Sequence, residues 1–231
     1  MSDLIDTTEM YLRTIYELEE EGIVPLRARI AQRLGQSGPT VSQTVARMER
    51  AGLVVVSGDR HLELTDDGRA KATRVMRKHR LAERLLIDVI GLEWEYVHEE
   101  ACRWEHVMSE RVERRLLELL DHPVESPYGN PIPGLAEIGE SAPVEDFREG
   151  VVPLTQVATH DPAPVRVRRL GEPAQTDPVS MASLSRAGLR PGSTVTVVRP
   201  QRGHVVVTGG PGGESVDLGD DVAAHVFVVP L

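Results

Sequence analysis

The sequence predicts a mainly α chain with a C-terminal β domain, and three observations carry that class. Apolar residues keep a helical period as far as about residue 120. Pro and Gly then become dense, from Pro123 and Pro127 through Gly129, Pro131, Pro133, Gly134 and Pro143, which no regular helix tolerates. Beyond about residue 150, short β-branched runs (Val165 to Val167, Val195 to Val198, Val205 to Thr208, Val226 to Val229) are separated by turns such as Arg190-Pro191-Gly192-Ser193 and Gly209 to Gly213. That spacing suits a small β-barrel of SH3-like size.

In chain order, the first helix is expected to begin at Asp6, with Glu9 three residues on as a capping-box-like pair and Leu12, Ile15, Tyr16 and Leu18 as the apolar stripe. Leu26 to Leu34 reads as a short amphipathic helix broken by Gly35-Gln36, and Ser37 is placed to cap another running to about Arg50. Helix, tight turn and helix make a helix-turn-helix. Val41, Val45 and Met48 face inward, leaving Pro39, Thr40, Gln43, Thr44, Arg47 and Arg50 on the outer face. Such a face suits a major groove: Gln pairs with adenine, Pro and small residues meet thymine methyls, and Arg holds phosphate or guanine. Leu53 to Val56, the turn Ser57-Gly58-Asp59-Arg60 and His61 to Leu64 read as a wing with Arg60 at its tip. Thr7, Arg27, Ala28, Ser37 and Ser42 complete the expected DNA-contacting set. A ribbon that binds protein is the competing reading of the same hairpin.

Charge supports the DNA reading. The chain is net −10, yet residues 24–60 carry six Arg against Glu49 and Asp59. A basic island in an acidic chain holds DNA locally and discourages indiscriminate adsorption. The single cysteine, Cys102, permits no intrachain disulfide, and no apolar run reaches the roughly 20 residues that span a bilayer. Residues 1–6 lack the pattern of a signal peptide, so a cytoplasmic protein with no membrane partner is expected.

The helical zone is dense in residues able to ligate metals. His79 and Glu83 are spaced i, i+4, and His98, Cys102 and His106 repeat at i, i+4, i+8 with Glu105 beside them. Successive rungs are about 5.4 Å apart, so two neighbouring sites fit better than one crowded site. Singly, each residue has an ordinary alternative: His79 in a basic face, Cys102 as a small core residue, Met10 in the core.

Four stretches together, Asp6 to Leu12, Ser37 to Val45, Met76 to Glu83 and Glu100 to His106, resemble the diphtheria toxin repressor family, and most of all its iron-dependent-regulator branch. The resemblance is dense over about residues 1–140 and thinner beyond. It implies one metal site of His79, Glu83 and His98, joined from the barrel by Glu172 and Gln175, and a second of Met10, Cys102, Glu105 and His106. Pro173 between Glu172 and Gln175 leaves that pair's assignment open. The manganese-sensing branch is expected to carry carboxylates where this chain has Met10 and Cys102, and thioether and thiolate ligands suit later first-row metals over Mg²⁺ and Ca²⁺. Two Fe²⁺ ions per subunit are therefore expected, with Co²⁺, Ni²⁺, Mn²⁺ or Zn²⁺ able to substitute in vitro.

The expectation is a Fe²⁺-activated transcriptional repressor of iron-acquisition genes, a homodimer on a palindromic operator in double-stranded DNA, and no enzyme. Apolar positions left over for the core or a dimer interface include Leu85, Leu86, Val89, Ile90, Trp94, Val107, Val112, Leu116 and Leu119. Domain boundaries are expected at 1–73 (winged helix-turn-helix), 74–140 (helical metal-binding and dimerisation domain), 141–150 (linker) and 151–231 (SH3-like barrel). The Pro-rich stretch Pro127 to Pro133 reads either as linker or as a ligand for the chain's own barrel. Competing readings are a winged-helix regulator sensing Mn²⁺, Zn²⁺ or an organic effector, a metalloenzyme, and a protein-interaction adaptor.

Overall fold

The computed structural model describes residues 6–141, 146–210 and 213–231. Pro143, part of the expected linker, and Pro211-Gly212 of the glycine-rich turn lie outside the described residues, as do residues 1–5.

Helix α1 (Thr7–Glu20) starts because the Asp6 carboxylate accepts hydrogen bonds from the amides of Thr8 at 2.7 Å and Glu9 at 3.3 Å. Helix α2 (Arg27–Leu34) ends at Gly35, whose φ of +60° is left-handed. Helix α3 (Gly38–Arg50) follows at once, capped by Ser37 on the Thr40 amide and pre-set by Pro39 in its first turn. Strands β1 (Val54–Val56) and β2 (Leu62–Leu64) pair antiparallel with Val55 opposite Glu63, and Arg60 stands at the hairpin tip with φ +71°. Helix α4 (Asp66–Leu85) continues into one wide π turn, Leu86–Ile90, and a 3-10 turn, Trp94–Tyr96. Helices α5 (Val97–Trp104) and α6 (Glu110–Leu119) and a 3-10 turn, Leu135–Ile138, complete the helical part.

The β domain comprises β3 (Val152–Pro153), α7 (Leu154–Val157), β4 (Ala163–Leu170), α8 (Glu172–Gln175), α9 (Pro178–Arg186), β5 (Thr194–Gln201), β6 (His204–Thr208), β7 (Ser215–Gly219), α10 (Asp220–Ala223) and β8 (Val226–Pro230). Its sheet order is β3-β8-β4-β5-β6-β7, with every pairing antiparallel. Four of the six strands coincide with the β-branched runs. Strands β3 and β7 were not anticipated, being too short or too polar to stand out.

The chain forms two units, and neither is continuous in sequence. The first draws on Met1–Ala82, Cys102–Val124 and Ile132–Val144. Its core gathers Tyr11, Leu12, Ile15, Ile30, Val41, Val45, Met48 and Leu62 from α1, α2, α3 and the hairpin. Two buried arginines tie α4 into it. Arg77 meets Glu113 of α6 at 2.6 Å and donates to the Gly134 carbonyl at 2.7 Å, and Arg80 forks onto Glu20 of α1 at 2.9 and 2.6 Å.

The second unit draws on Glu83–Ala101, Glu125–Pro131 and Glu145–Leu231. The block expected as one helical domain, 74–140, is thus shared between units. Residues 125–131 dock on β4: Leu170 donates its amide to the Tyr128 carbonyl at 2.9 Å, and the Asn130 side chain donates to the Leu170 carbonyl at 2.9 Å. A Cβ on Gly129 (φ +80°) would stand 2.1 Å from the Arg168 carbonyl oxygen, so only glycine lets the backbones approach. Tyr128 is buried against Trp94, ring centroids 5.1 Å apart, and donates to the Trp94 carbonyl at 2.8 Å. Of the two readings of the Pro-rich stretch, docking describes residues 125–131. No helix among the described residues is long and apolar enough to cross a membrane.

Candidate metal centres and nucleic-acid interface

The second unit gathers one ligand set. Glu83 at the end of α4, His98 in α5 and Glu172 in α8 are all buried, and each offers a ligand atom within 4.8 Å of the others. His98 Nδ1 lies 3.3 Å from Glu172 Oε2 and 3.7 Å from Glu83 Oε1. Pro173 does not disrupt the pair it separates: it occupies the first turn of α8, where its missing N–H is not needed, and Glu172 and Gln175 bracket that turn. Gln175 is 1 % exposed, and its Nε2 donates to the Leu170 carbonyl at 2.8 Å. That bond fixes the amide so that Oε1 is left buried with no hydrogen-bond partner. A buried carbonyl oxygen without a donor is costly, and a cation relieves it. Two carboxylates and an imidazole within 4.8 Å of one another form a donor set that fits a divalent ion, and Gln175 ends the same short helix that Glu172 begins. His79 precedes Glu83 by one helical turn on the continuous α4, which puts the two on one helix face.

In the first unit, Glu105 and His106 of the other set stand side by side, and Arg13 links Glu105 to Cys102. Helix α5 ends at Trp104, so Glu105 and His106 lie in the following turn, with the Val107 and Met108 amides both donating to the Trp104 carbonyl. The expected helical repeat from His98 to His106 therefore stops at Cys102. His106 reaches the set from the turn, its Nε2 3.4 Å from Glu105 Oε1 and its Nδ1 2.6 Å from Glu9 Oε2. Glu105 Oε2 lies 2.7 Å from His79 Nδ1, and Arg13 Nη1 lies 3.2 Å from the same nitrogen. Met10 is half-buried and packs against the core of the N-terminal helices.

Arg13, a residue absent from the sequence expectation, joins this set. Its Nη1 lies 2.8 Å from Glu105 Oε2 and 3.1 Å from Cys102 Sγ. Burial alone would raise the Glu105 carboxyl, but Arg13, then His79 and His106, reverse that and hold it below its ordinary value. The available signal was spacing: Arg13 follows Met10 by three residues, on the same face of α1. Glu9 follows the cap of that helix and was read only as part of the capping pair.

The residues expected to contact DNA are exposed or half-buried, with one exception. Thr7, Ala28, Ser37, Pro39, Thr40, Ser42, Gln43, Arg47, Arg50 and Arg60 are exposed and Arg27 is half-buried. Thr44 is buried, not outward-facing, because it follows Val41 by three residues and shares the inward stripe of Val41, Val45 and Met48. His61 is held in the wing by Asp59, Ser57 and Glu63, the last at 2.6 Å. Of the leftover apolar positions, Leu86, Trp94 and Leu116 are buried, whereas Val89, Ile90, Val107, Val112 and Leu119 are exposed.

Three family models match the chain: the iron-dependent repressor N-terminal DNA-binding domain over residues 3–62, the iron-dependent repressor metal-binding and dimerisation domain over 65–134, and the diphtheria toxin repressor SH3 domain over 151–229. The chain is 59% identical over 228 residues to the iron-dependent repressor IdeR of Mycobacterium tuberculosis, covering 99% of each chain. It is 57% identical over 234 residues to the diphtheria toxin repressor of Corynebacterium diphtheriae, covering 100% of both. Among solved structures, a manganese-dependent transcriptional repressor in complex with manganese matches with TM-score 0.79 and 29% identity, over 97% of this chain and 100% of that one. The IdeR of T. acidophilum matches with TM-score 0.75 and 29% identity, over 98% and 99%. With an exposed helix-turn-helix face and these matches along its length, the chain belongs to the iron-dependent repressor family of DNA-binding, metal-dependent transcriptional repressors, which are not enzymes.

Proposed function

We propose that the activating metal is Fe²⁺, two ions per subunit, and that the controlled genes serve iron acquisition. The observation that carries the metal reading is the buried Gln175 Oε1, fixed beside the turn that bears Glu172 and lacking a donor. In this reading one ion is held by His79, Glu83, His98, Glu172 and Gln175, and the other by Met10, Cys102, Glu105 and His106. Bound there, a divalent ion supplies positive charge to buried acids and directional bonds to atoms far apart in sequence. The nitrogen and oxygen donors of the first set also suit Mn²⁺, the metal named for one structural neighbour. Sulfur donors in the second favour a softer ion, which makes Fe²⁺ the better assignment for the chain as a whole.

The chain's own residues then link metal to DNA. Met10 belongs to α1, which buries its stripe against α2 and α3, while Cys102 lies in the last turn of α5. Ligands shared across that span bias the position of α1, with Thr7 at its exposed start. Gln43 and Arg47 on the outer face of α3 read bases, and Arg60 at the wing tip holds backbone phosphate. Val89, Ile90, Val107, Val112 and Leu119 offer apolar surface for the homodimer, and a two-fold dimer reads a palindrome. The deciding experiment is a gel shift of the full chain on an AT-rich palindrome with Fe²⁺ or Co²⁺, with and without chelator. Retardation that needs metal and is lost to chelator supports the reading; equal retardation with chelator overturns it.

A further inference from the structure

Arg13 is 9 % exposed in the middle of α1, and one atom of it does most of its bonding. Nη1 stands 2.8 Å from Glu105 Oε2, 3.1 Å from Cys102 Sγ and 3.2 Å from His79 Nδ1. A cation sits where the sulfur and carboxylate of the second donor set converge, and it belongs to the protein. At its other end, Nε lies 3.0 Å from Glu17 Oε1. Glu17 in turn meets Arg33 of α2 at 3.4 Å, and Arg33 meets Glu21 at 3.3 Å. Burial by itself would lower the guanidinium's affinity for its proton, but the charges of Cys102, Glu105 and Glu17 raise it, so Arg13 stays charged.

The buried Glu105 carboxylate needs a counter-charge, and the guanidinium provides one, with the half-buried Cys102 sulfur beside it. A divalent ion taking the same two ligands needs the same space, and two cations in contact in a low-dielectric interior repel strongly. Only one can be there at a time. Glu17 offers the displaced guanidinium an alternative anchor to which it is already bonded.

Resting on the two-ion reading above, we propose that Arg13 is a built-in competitor for the second metal set, holding Cys102 and Glu105 together until an ion displaces it toward Glu17. The competitor raises the metal concentration at which the set fills. It also filters metals, since an ion must bond thiolate and carboxylate strongly enough to evict a paired guanidinium, which hard, weakly thiophilic cations do not. Because Arg33 shares Glu17, the eviction is felt in α2, the first helix of the helix-turn-helix.

The test is a Co²⁺ titration of full-length protein followed by thiolate-to-metal charge-transfer absorption, on wild type, Arg13→Gln, Arg13→Lys and Cys102→Ala. Arg13→Gln should bind Co²⁺ at the Cys102-dependent site about tenfold more tightly and, with chelator, melt at a lower temperature than wild type. Arg13→Lys keeps the charge but loses the fork, so its gain should be smaller, about threefold. Should the Gln variant not fold, the Lys variant decides alone. Unchanged or weaker Co²⁺ affinity in the folded variants overturns the competitor while leaving the site standing. A wild-type titration with no band that Cys102→Ala removes overturns the site, and the competitor with it.

Discussion

The set around His98 and the set around Cys102 both bury acid beside imidazole, but they balance charge differently. Around His98, two carboxylates face one imidazole at 3.3 and 3.7 Å. Around Cys102, the carboxylate has a guanidinium at 2.8 Å and an imidazole at 2.7 Å. The second set already contains a cation, the Arg13 guanidinium. On the two-ion reading proposed above, sites of similar ligand count need not fill together: the one with an internal cation answers to the higher threshold, which suits it to act as the switch.

The largest expected effect separates the sets at the level of DNA. Cys102→Ala should abolish the metal-dependent gain in operator affinity, about 5–150-fold, with the metal-free fold retained. Gel shifts across a Co²⁺ series measure it, and a full gain in the variant would place the switch elsewhere.

Gly129→Ala attacks the first set through its scaffold. The left-handed backbone alone costs about 1–2 kcal/mol, and the methyl clashes with the Arg168 carbonyl. The segment 125–131 should loosen from β4, lowering the melting temperature while the Cys102-dependent absorption stays. Loss of that absorption instead would show that the two sets do not respond separately.

A milder effect is expected of Gln175→Ala, roughly tenfold weaker metal binding at the first set by calorimetry. An unchanged isotherm would mean that its carbonyl oxygen is no ligand.

The smallest effect concerns pH. The Glu105 carboxyl is held below its ordinary value, so in chelator its contribution to stability is fully present above the usual carboxylate range and fades as pH falls through the folded value. The stability gap between wild type and Glu105→Gln should therefore narrow from pH 7 toward pH 3. A gap independent of pH would mean that Glu105 is not stabilised as an anion.

Much of this was legible from periodicity and turn chemistry. The Asp6 and Ser37 caps, the Gly35 break and the inward stripe of α3 are local devices, readable within a few residues. Thr44 was misplaced because three-residue spacing from Val41 was outweighed by its polar hydroxyl. The end of α5 at Trp104 was missed because Glu105 and His106 are compatible with helix; tertiary contacts with His79 and Glu9, not propensity, draw them away. Pro173 looked like an obstacle until its position in the first turn of α8 was known.

By itself, the sequence determined the winged helix-turn-helix, the β domain and the residue types able to ligate metal, since helical period, caps and β-branching act over short range. Which of those residues meet was decided by tertiary structure. Arg13 is 92 residues from Glu105 and Asn130 is 40 from Leu170, and a spacing rule that spans a turn or two of helix says nothing about partners so distant. The physical reason is that a buried charge must find a counter-charge wherever packing supplies one, and packing is settled only once the whole chain is folded.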